Sequence, residues 1–509
     1  MRRTPVAATS RATARTSCLI AALVTAVLIA SNLLEAQRVV SWPLPGSPFT
    51  VTHATLVDGT GTPATIDQSI VVENGRISAV GPTAAIQSIG QIVDLRGRTV
   101  IPGLVGMHEH LFYAVDHGHG YLAFPEAFAR LYLAAGVTSI RTAGTIDPGQ
   151  DIELKREIDG GRQIGPTLHL TGPYLDTVAD VQTVVQLVNS WADAGVTSVK
   201  AYTHLRRDQL AAAIDTAHRR GLTVTGHLCA VDFREAAALG IDNLEHGLLA
   251  DTEFYSRKVP DECPDGSQVL GELADSPPDR RAIGETIRVL VEKRVAVTST
   301  LAVFESLTAR PDPNADAVRR LLTWSTRRDY DAERAARQTG PEQFGRWEQL
   351  LRLEMRFERA FVAAGGLLMS GADPTGWGGT LAGTADQRNV ELLVEAGFSV
   401  EAAIEIATAN GARGLGVIDS LGTITAGKIA DLVVLRGELP RDVHAITMVE
   451  MVIKNGTAID PAPIRAAQAG RIGKSSAWIW EGALVGPAVV MLIAGLKWVR
   501  RRRRSGATV

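Results

Sequence analysis

Cysteine is scarce in this sequence. The 509-residue chain holds three. Cys18 lies in an apolar run near the N-terminus, which leaves Cys229 and Cys263 in the body. That excludes a disulfide-stapled scaffold and a thiolate metal cluster. A single Cys229–Cys263 bond stays open outside a reducing compartment; the other reading of Cys229 is a small buried residue. Aromatic residues are 5%, too few for a platform that stacks single-stranded nucleic acid. No large charge of one sign is present, since the formal net charge is −3. The basic residues crowd at the two ends, so the body is acidic and a nucleic-acid partner is excluded. No glycine-rich phosphate fingerprint follows the first strand of the α/β region. Glycine itself is plentiful at 49 residues, and 45% of the chain is apolar against 21% charged. This is globular composition with material for more than one structural unit.

Both ends are expected to address a membrane. Arg2, Arg3, Arg11 and Arg15 precede the apolar run from Cys18 to Ala30, the pattern of a signal peptide or an uncleaved anchor over residues 1–36. Residues 478–499 are mostly apolar and long enough to span a bilayer as a helix. Trp478, Trp480 and Trp498 stand near its ends, and Arg500 to Arg504 open a basic cytoplasmic tail, 500–509. The body is then expected outside the cytoplasm, periplasmic or at the cell surface, held to the membrane by the C-terminal helix.

Residues 47–102 read as short strands with Asp58-Gly59 and Asn74-Gly75 turns. A matching β stretch returns over 416–460, so a small β-sandwich domain built from both flanks is expected. Between them, 103–415 shows eight strand-like runs separated by helical segments. Ala135-Gly136-Val137-Thr138-Ser139-Ile140-Arg141 is echoed by Ala194-Gly195-Val196-Thr197-Ser198-Val199-Lys200. Each has a helix-ending Gly, a β-branched run and a cation. The fold class is α/β, a (β/α)₈ TIM-like barrel, with an open doubly wound sheet as the structural alternative. Residues 250–290 read as an insertion. Residues 312–360, charged and helical, read as a lid or a dimer surface, which admits a homo-oligomer.

Chemistry-bearing residues fall at predicted strand ends. His108 and His110 are two apart on the first strand, so their side chains point the same way and can share a divalent metal; a polar surface pair is the bland alternative. His227 and His246 close two later strands, where each alone is as well read as a core histidine. Asp373 closes the last strand, and a carboxylate there can bind metal and accept a proton from water. Lys200 ends an apolar strand, where an unpaired ammonium is costly; pairing with an acid or reaching solvent are the structural readings. His117 and His119 lie in the loop after the first strand, near substrate or merely solvated.

These residues resemble the amidohydrolase superfamily. The likeness is carried by Val100-Ile101-Pro102-Gly103-Leu104-Val105-Gly106-Met107-His108-Glu109-His110 and by Gly422-Thr423-Ile424-Thr425-Ala426-Gly427-Lys428-Ile429-Ala430-Asp431-Leu432. It covers about residues 47–460. Glu391 to Gly397, Ala407 to Arg413 and Lys200-Ala201-Tyr202 resemble the imidazolonepropionase-like, prolidase-type branch. The resemblance implies two divalent metal ions, usually zinc. His108, His110 and Asp373 would bind the first, His227 and His246 the second, and carboxylated Lys200 would bridge them. Asp373 would be the catalytic acid and base. Tyr202 would bind a small-molecule substrate, with barrel packing as its other reading.

The implied activity is hydrolysis of an amide or other carbon–nitrogen bond through a metal-bridging hydroxide, in a dipeptide or an N-acyl amino acid. A cyclic-amide hydrolase or deaminase of the same superfamily is the alternative, and a non-catalytic binding protein on the same barrel is another. Three departures from the family pattern bear on substrate choice: Glu109 between the first two His, Thr142 where relatives often carry Asp, and Ala372 in place of Thr.

Overall fold

Eight short, largely buried runs between residues 104 and 370 form the parallel strands of a barrel. In the computed structural model, which describes residues 48–474, they are Leu104–Glu109, Val137–Thr142, a bent third strand in two pieces (Thr167–His169 and Thr171–Leu175), Ser198–Ala201, Thr223–Gly226, Asn243–Glu245, Ala296–Ser299 and Leu368–Ser370. Each pairs in parallel with its neighbour. Helices between them cover the outside, as parallel sheets require. The Val181–Ala194 helix shows the local logic. Asp180 caps its start by accepting from the Thr183 amide, and Gly195 ends it in the left-handed region that L side chains avoid.

The ring closes where the last strand meets the first. The Asp373 amide donates to the His108 carbonyl over 2.9 Å. Gly371 lies so close that a Cβ there would fall 2.5 Å from the His108 backbone nitrogen. A residue without a side chain is what lets the strand ends carrying His108 and Asp373 approach.

The flanking domain differs from the expected sandwich. Its strands hydrogen-bond into one eight-stranded sheet. The reason is Arg98–Pro102, which pairs with Phe49–Leu56 on one side and with Leu432–Arg436 on the other. It stitches the two flanks into a continuous surface. The sheet curls around its own core of Val51, Ile70, Ile77, Val100, Leu432 and Ile453, all fully buried.

The expectation of a membrane-crossing helix is corrected. Among the described residues no helix is long and apolar enough to cross a membrane. The longest, Pro341–Ala363, carries Arg346, Glu348, Arg352 and Arg356 and packs on the barrel. The segments 1–36, 478–499 and 500–509 lie outside the described residues. Within 250–290, helices Gly266–Asp275 and Arg280–Glu292 form, and a Cys229–Cys263 disulfide ties the start of this region to the loop after the Thr223–Gly226 strand.

Candidate active site

The expected residues meet at the C-terminal mouth of the barrel. His108 is the penultimate residue of the Leu104–Glu109 strand, which is buried throughout, and His110 follows that strand. Between them Glu109 turns the other way and accepts from the Ala372 amide at 2.9 Å. The ligand atoms of His108, His110 and Asp373 lie within 4.8 Å of one another, all buried. The Nε2 atoms of His108 and His110 stand 3.7 and 3.4 Å from the Asp373 carboxylate. His227 and His246 stand beside this triad rather than in it. The His246 ring is 4.5 Å from those of both His108 and His227. Lys200, Tyr202, His227 and His246 line the same cavity of about 320 Å³ as the triad.

Two of these residues are held in unusual backbone. His246 has φ 68° and Asp373 φ 45°, the left-handed region where a non-glycine residue costs on the order of 1–3 kcal/mol. The fold imposes both. Thr300 bonds His246 Nδ1 at 2.8 Å, and Thr375 donates to Asp373 at 2.8 Å.

The charge balance centres on Glu245, a residue the sequence reading did not single out. It is fully buried. Its carboxylate accepts from His108 Nδ1 at 2.7 Å and from Arg141 at 2.6 Å, and also from the Thr225 hydroxyl. Lys200 Nζ lies 3.7 Å away. Burial works against ionising Glu245, but Lys200, Arg141 and His108 together hold its carboxyl well below the usual range. The bond from Nδ1 fixes the proton of His108 there and leaves its Nε2 lone pair facing Asp373 and the cavity.

Burial pushes the other bases toward their neutral forms. His227 is driven down to about 3, with Lys200 adding to the effect. His246 falls well below its ordinary range for the same first reason. Desolvation lowers Lys200 to about 8, against the pull of Glu245. Among the described residues, Lys200 Nζ and His110 Nδ1 are buried with no hydrogen-bond partner, an expensive arrangement for polar atoms. Neutral imidazoles, an ionised carboxylate and unpartnered nitrogens around one cavity are the donor set a divalent metal takes. The residues present fit such a metal.

Other candidates separate from the site. His117 pairs with Glu333 in a different crevice. Cys229 is half of a disulfide, not a ligand. Tyr202 does line the cavity, its ring 5.2 Å from that of His227. Burial raises its hydroxyl to about 12, so it stays protonated and able to donate. Arg141 had one sequence signal, its place opposite Lys200 in the repeated Gly-Val-Thr-Ser run.

Comparison with known proteins agrees with this geometry. The amidohydrolase family model matches residues 368–459. An imidazolonepropionase from Saccharopolyspora erythraea is 32% identical over 25% of this chain and 33% of its own. One from an Arthrobacter species is 29% identical over 43% of this chain and 53% of its own. The chain thus spans between a third and about half the length of these relatives. A solved Xaa-Pro dipeptidase with methionine bound in its active site shares the fold, with a TM-score of 0.60 at 20% identity, covering 81% of this chain and all of that one. These matches together support membership of the amidohydrolase superfamily.

Proposed function

We propose that the protein is a metal-dependent hydrolase that cleaves an amide or other carbon–nitrogen bond. The observation that carries this reading is the buried triad of His108, His110 and Asp373, its ligand atoms within 4.8 Å, at the mouth of a parallel barrel. The relatives' names, imidazolonepropionase and Xaa-Pro dipeptidase, support a carbon–nitrogen bond as the target. His108, His110 and Asp373 would hold one divalent ion, and His227 and His246 a second. Lys200, whose amine has no hydrogen-bond partner among the described residues, would lie between them as a carbamate. Zinc is the usual metal of the resemblance.

A divalent ion bound there supplies a Lewis acid that acidifies water and polarises a carbonyl. The protein's own residues do the rest. Asp373, its carboxylate set against the imidazoles of His108 and His110, takes the proton of the attacking water and delivers it to the leaving nitrogen. A carbon–oxygen bond forms, the carbon–nitrogen bond breaks, and the amine leaves neutral. Tyr202 offers its hydroxyl to a substrate oxygen. Glu245 and Thr300 keep His108 and His246 in their orientations. Dipeptides, N-acyl amino acids and cyclic amides all fall within this reaction. The Cys229–Cys263 disulfide supports placing the body outside the cytoplasm, where such bonds persist.

The test is metal content per chain of the full-length protein by elemental mass spectrometry, with and without bicarbonate, beside turnover of a panel of amides. About two zinc-like ions, falling on Lys200→Ala, are expected. One ion indifferent to Lys200 moves the reading to a mononuclear deaminase-like site. No metal under any loading condition sinks it in favour of a binding protein.

A further inference from the structure

The walls of the cavity say more about substrate than the metal ligands do. Tyr174 and Tyr202 form one wall, their rings 4.9 Å apart and edge to face. Phe112 and Tyr121 form another, 5.0 Å apart. Ile146 lines the cavity too, and Ile146 and Tyr121 are large apolar side chains left 43% and 46% exposed. Tyr121, Tyr174 and Tyr202 each carry a hydroxyl on the wall of this cavity. A phenol is protonated at neutral pH, so each of these hydroxyls can donate.

Charge is distributed just as unevenly. Among the described residues that line the cavity, no Arg appears, and Lys200 is the single Lys. Arg141 lies behind the site, turned to the Met107 carbonyl and Glu245. Outside the metal-site residues, the charged side chain in the wall is Asp176. Its carboxylate is fixed by the Thr203 hydroxyl at 3.1 Å, the His204 amide at 2.8 Å and His204 Nδ1 at 2.9 Å.

A substrate carboxylate entering this space would lose water, gain no guanidinium or ammonium, and face Asp176. Sites that select carboxylates use an Arg fork or a Lys, and an unpaired buried charge is costly. A flat, uncharged group meets aromatic faces and edges and finds tyrosine donors for any carbonyl it carries.

We propose that this pocket takes amides whose portion remote from the scissile bond is aromatic or apolar and uncharged, and that it selects against a free carboxylate there. The inference rests on the hydrolase reading above and narrows it, setting the free-acid dipeptides and N-acyl amino acids behind their neutral counterparts.

N-acetylphenylalanine amide and N-acetylphenylalanine test it. They share the scissile bond and differ in one group. Hydrolysis of either adds water across the acetyl carbon–nitrogen bond and releases acetate with phenylalanine amide or phenylalanine. With the zinc-loaded full-length protein, kcat/KM for the amide is expected to exceed that for the acid by about tenfold or more, chiefly through KM. Ile146→Arg, which places a cation in the wall, should raise kcat/KM for the acid and narrow the ratio about fivefold or more. Tyr174→Phe keeps the ring and removes a donor, and should raise KM for the amide more than it lowers kcat. Equal or faster turnover of the acid by the unaltered protein overturns the inference and leaves the hydrolase reading standing. If neither compound is cleaved, the hydrolase reading fails for this bond, and calorimetry on the metal-free protein decides the inference. Tighter binding of the amide then supports it; equal or tighter binding of the acid overturns it.

Discussion

Glu245 holds His108 from across the barrel, its carboxylate 2.7 Å from Nδ1. The same group meets Arg141 and Lys200, the two cations that occupy matching places in the repeated strand motif. One buried acid therefore orients the His108 imidazole and offsets two buried bases. Glu245→Gln keeps the shape and removes the charge. It is expected to weaken metal binding about 10- to 100-fold, the usual cost of losing such support. It should also lower the melting temperature, because breaking a buried ion pair costs about 3–5 kcal/mol. Metal titration and thermal unfolding check both; unchanged metal affinity would remove Glu245 from this role.

Asp373→Asn preserves volume but removes the proton acceptor. Turnover should fall by about 10²–10⁴-fold, with a smaller effect on substrate binding. A variant that retains most of its kcat on a good substrate would show that Asp373 is not the base.

Gly371→Ala tests the closeness of the first and last strands. The added carbon meets the His108 backbone nitrogen and Cβ at 2.5 Å, and backbone cannot swing aside. Loss of metal affinity together with a lower melting temperature is expected, since overpacking of this kind costs about 1–3 kcal/mol. A variant with native stability and full metal loading contradicts the geometry.

The Cys229–Cys263 bond closes a loop with a sequence separation of 34. A closed loop of that size restricts the unfolded chain by about 3–4 kcal/mol on the chain-entropy account. The double Ser variant should unfold at lower denaturant than the oxidised protein and match the reduced wild type. Coincident curves for all three would show that the bond contributes nothing.

A pH effect follows from Glu354 and Glu358, one turn apart on the Pro341–Ala363 helix and buried. Burial raises both; Glu358 reaches about 8 from an ordinary value of 4.5. An acid whose folded pKa is raised binds more protons folded than unfolded, so its stabilising contribution is whole below about pH 4.5 and is lost as pH rises through about 8. Glu358→Gln should therefore melt higher than wild type at pH 8.5 and nearly match it at pH 4.5. The opposite ordering at pH 8.5 would refute the assignment.

Most of the barrel strands were legible because they are short apolar or β-branched runs that follow a helix, and strand-end His, Lys and Asp stand out against apolar neighbours. Glu245 was not, because Asn243-Leu244-Glu245 reads equally well as an exposed polar strand. Its burial depends on Arg141, Thr225 and Lys200 arriving from three other strands. The continuous sheet of the flanking domain escaped notice for a similar reason. Arg98–Pro102 looks like any edge strand until its partner, more than 300 residues later, takes its free side. The disulfide stayed open because spacing alone cannot place two cysteines together.

That pairing of Arg98–Pro102 with Leu432–Arg436 has a consequence for synthesis. The N-terminal strands emerge long before the strand that covers their edge. Until then one edge of Arg98–Pro102 keeps its backbone unpaired, and the apolar face of the sheet lacks Leu432 and Ile453, which invites association with other chains. So wide a separation between partners also slows folding. The last tenth of the described chain thus acts as a latch: a product halted before residue 432 retains the sequence of every barrel strand and still lacks the strand that fastens its two ends.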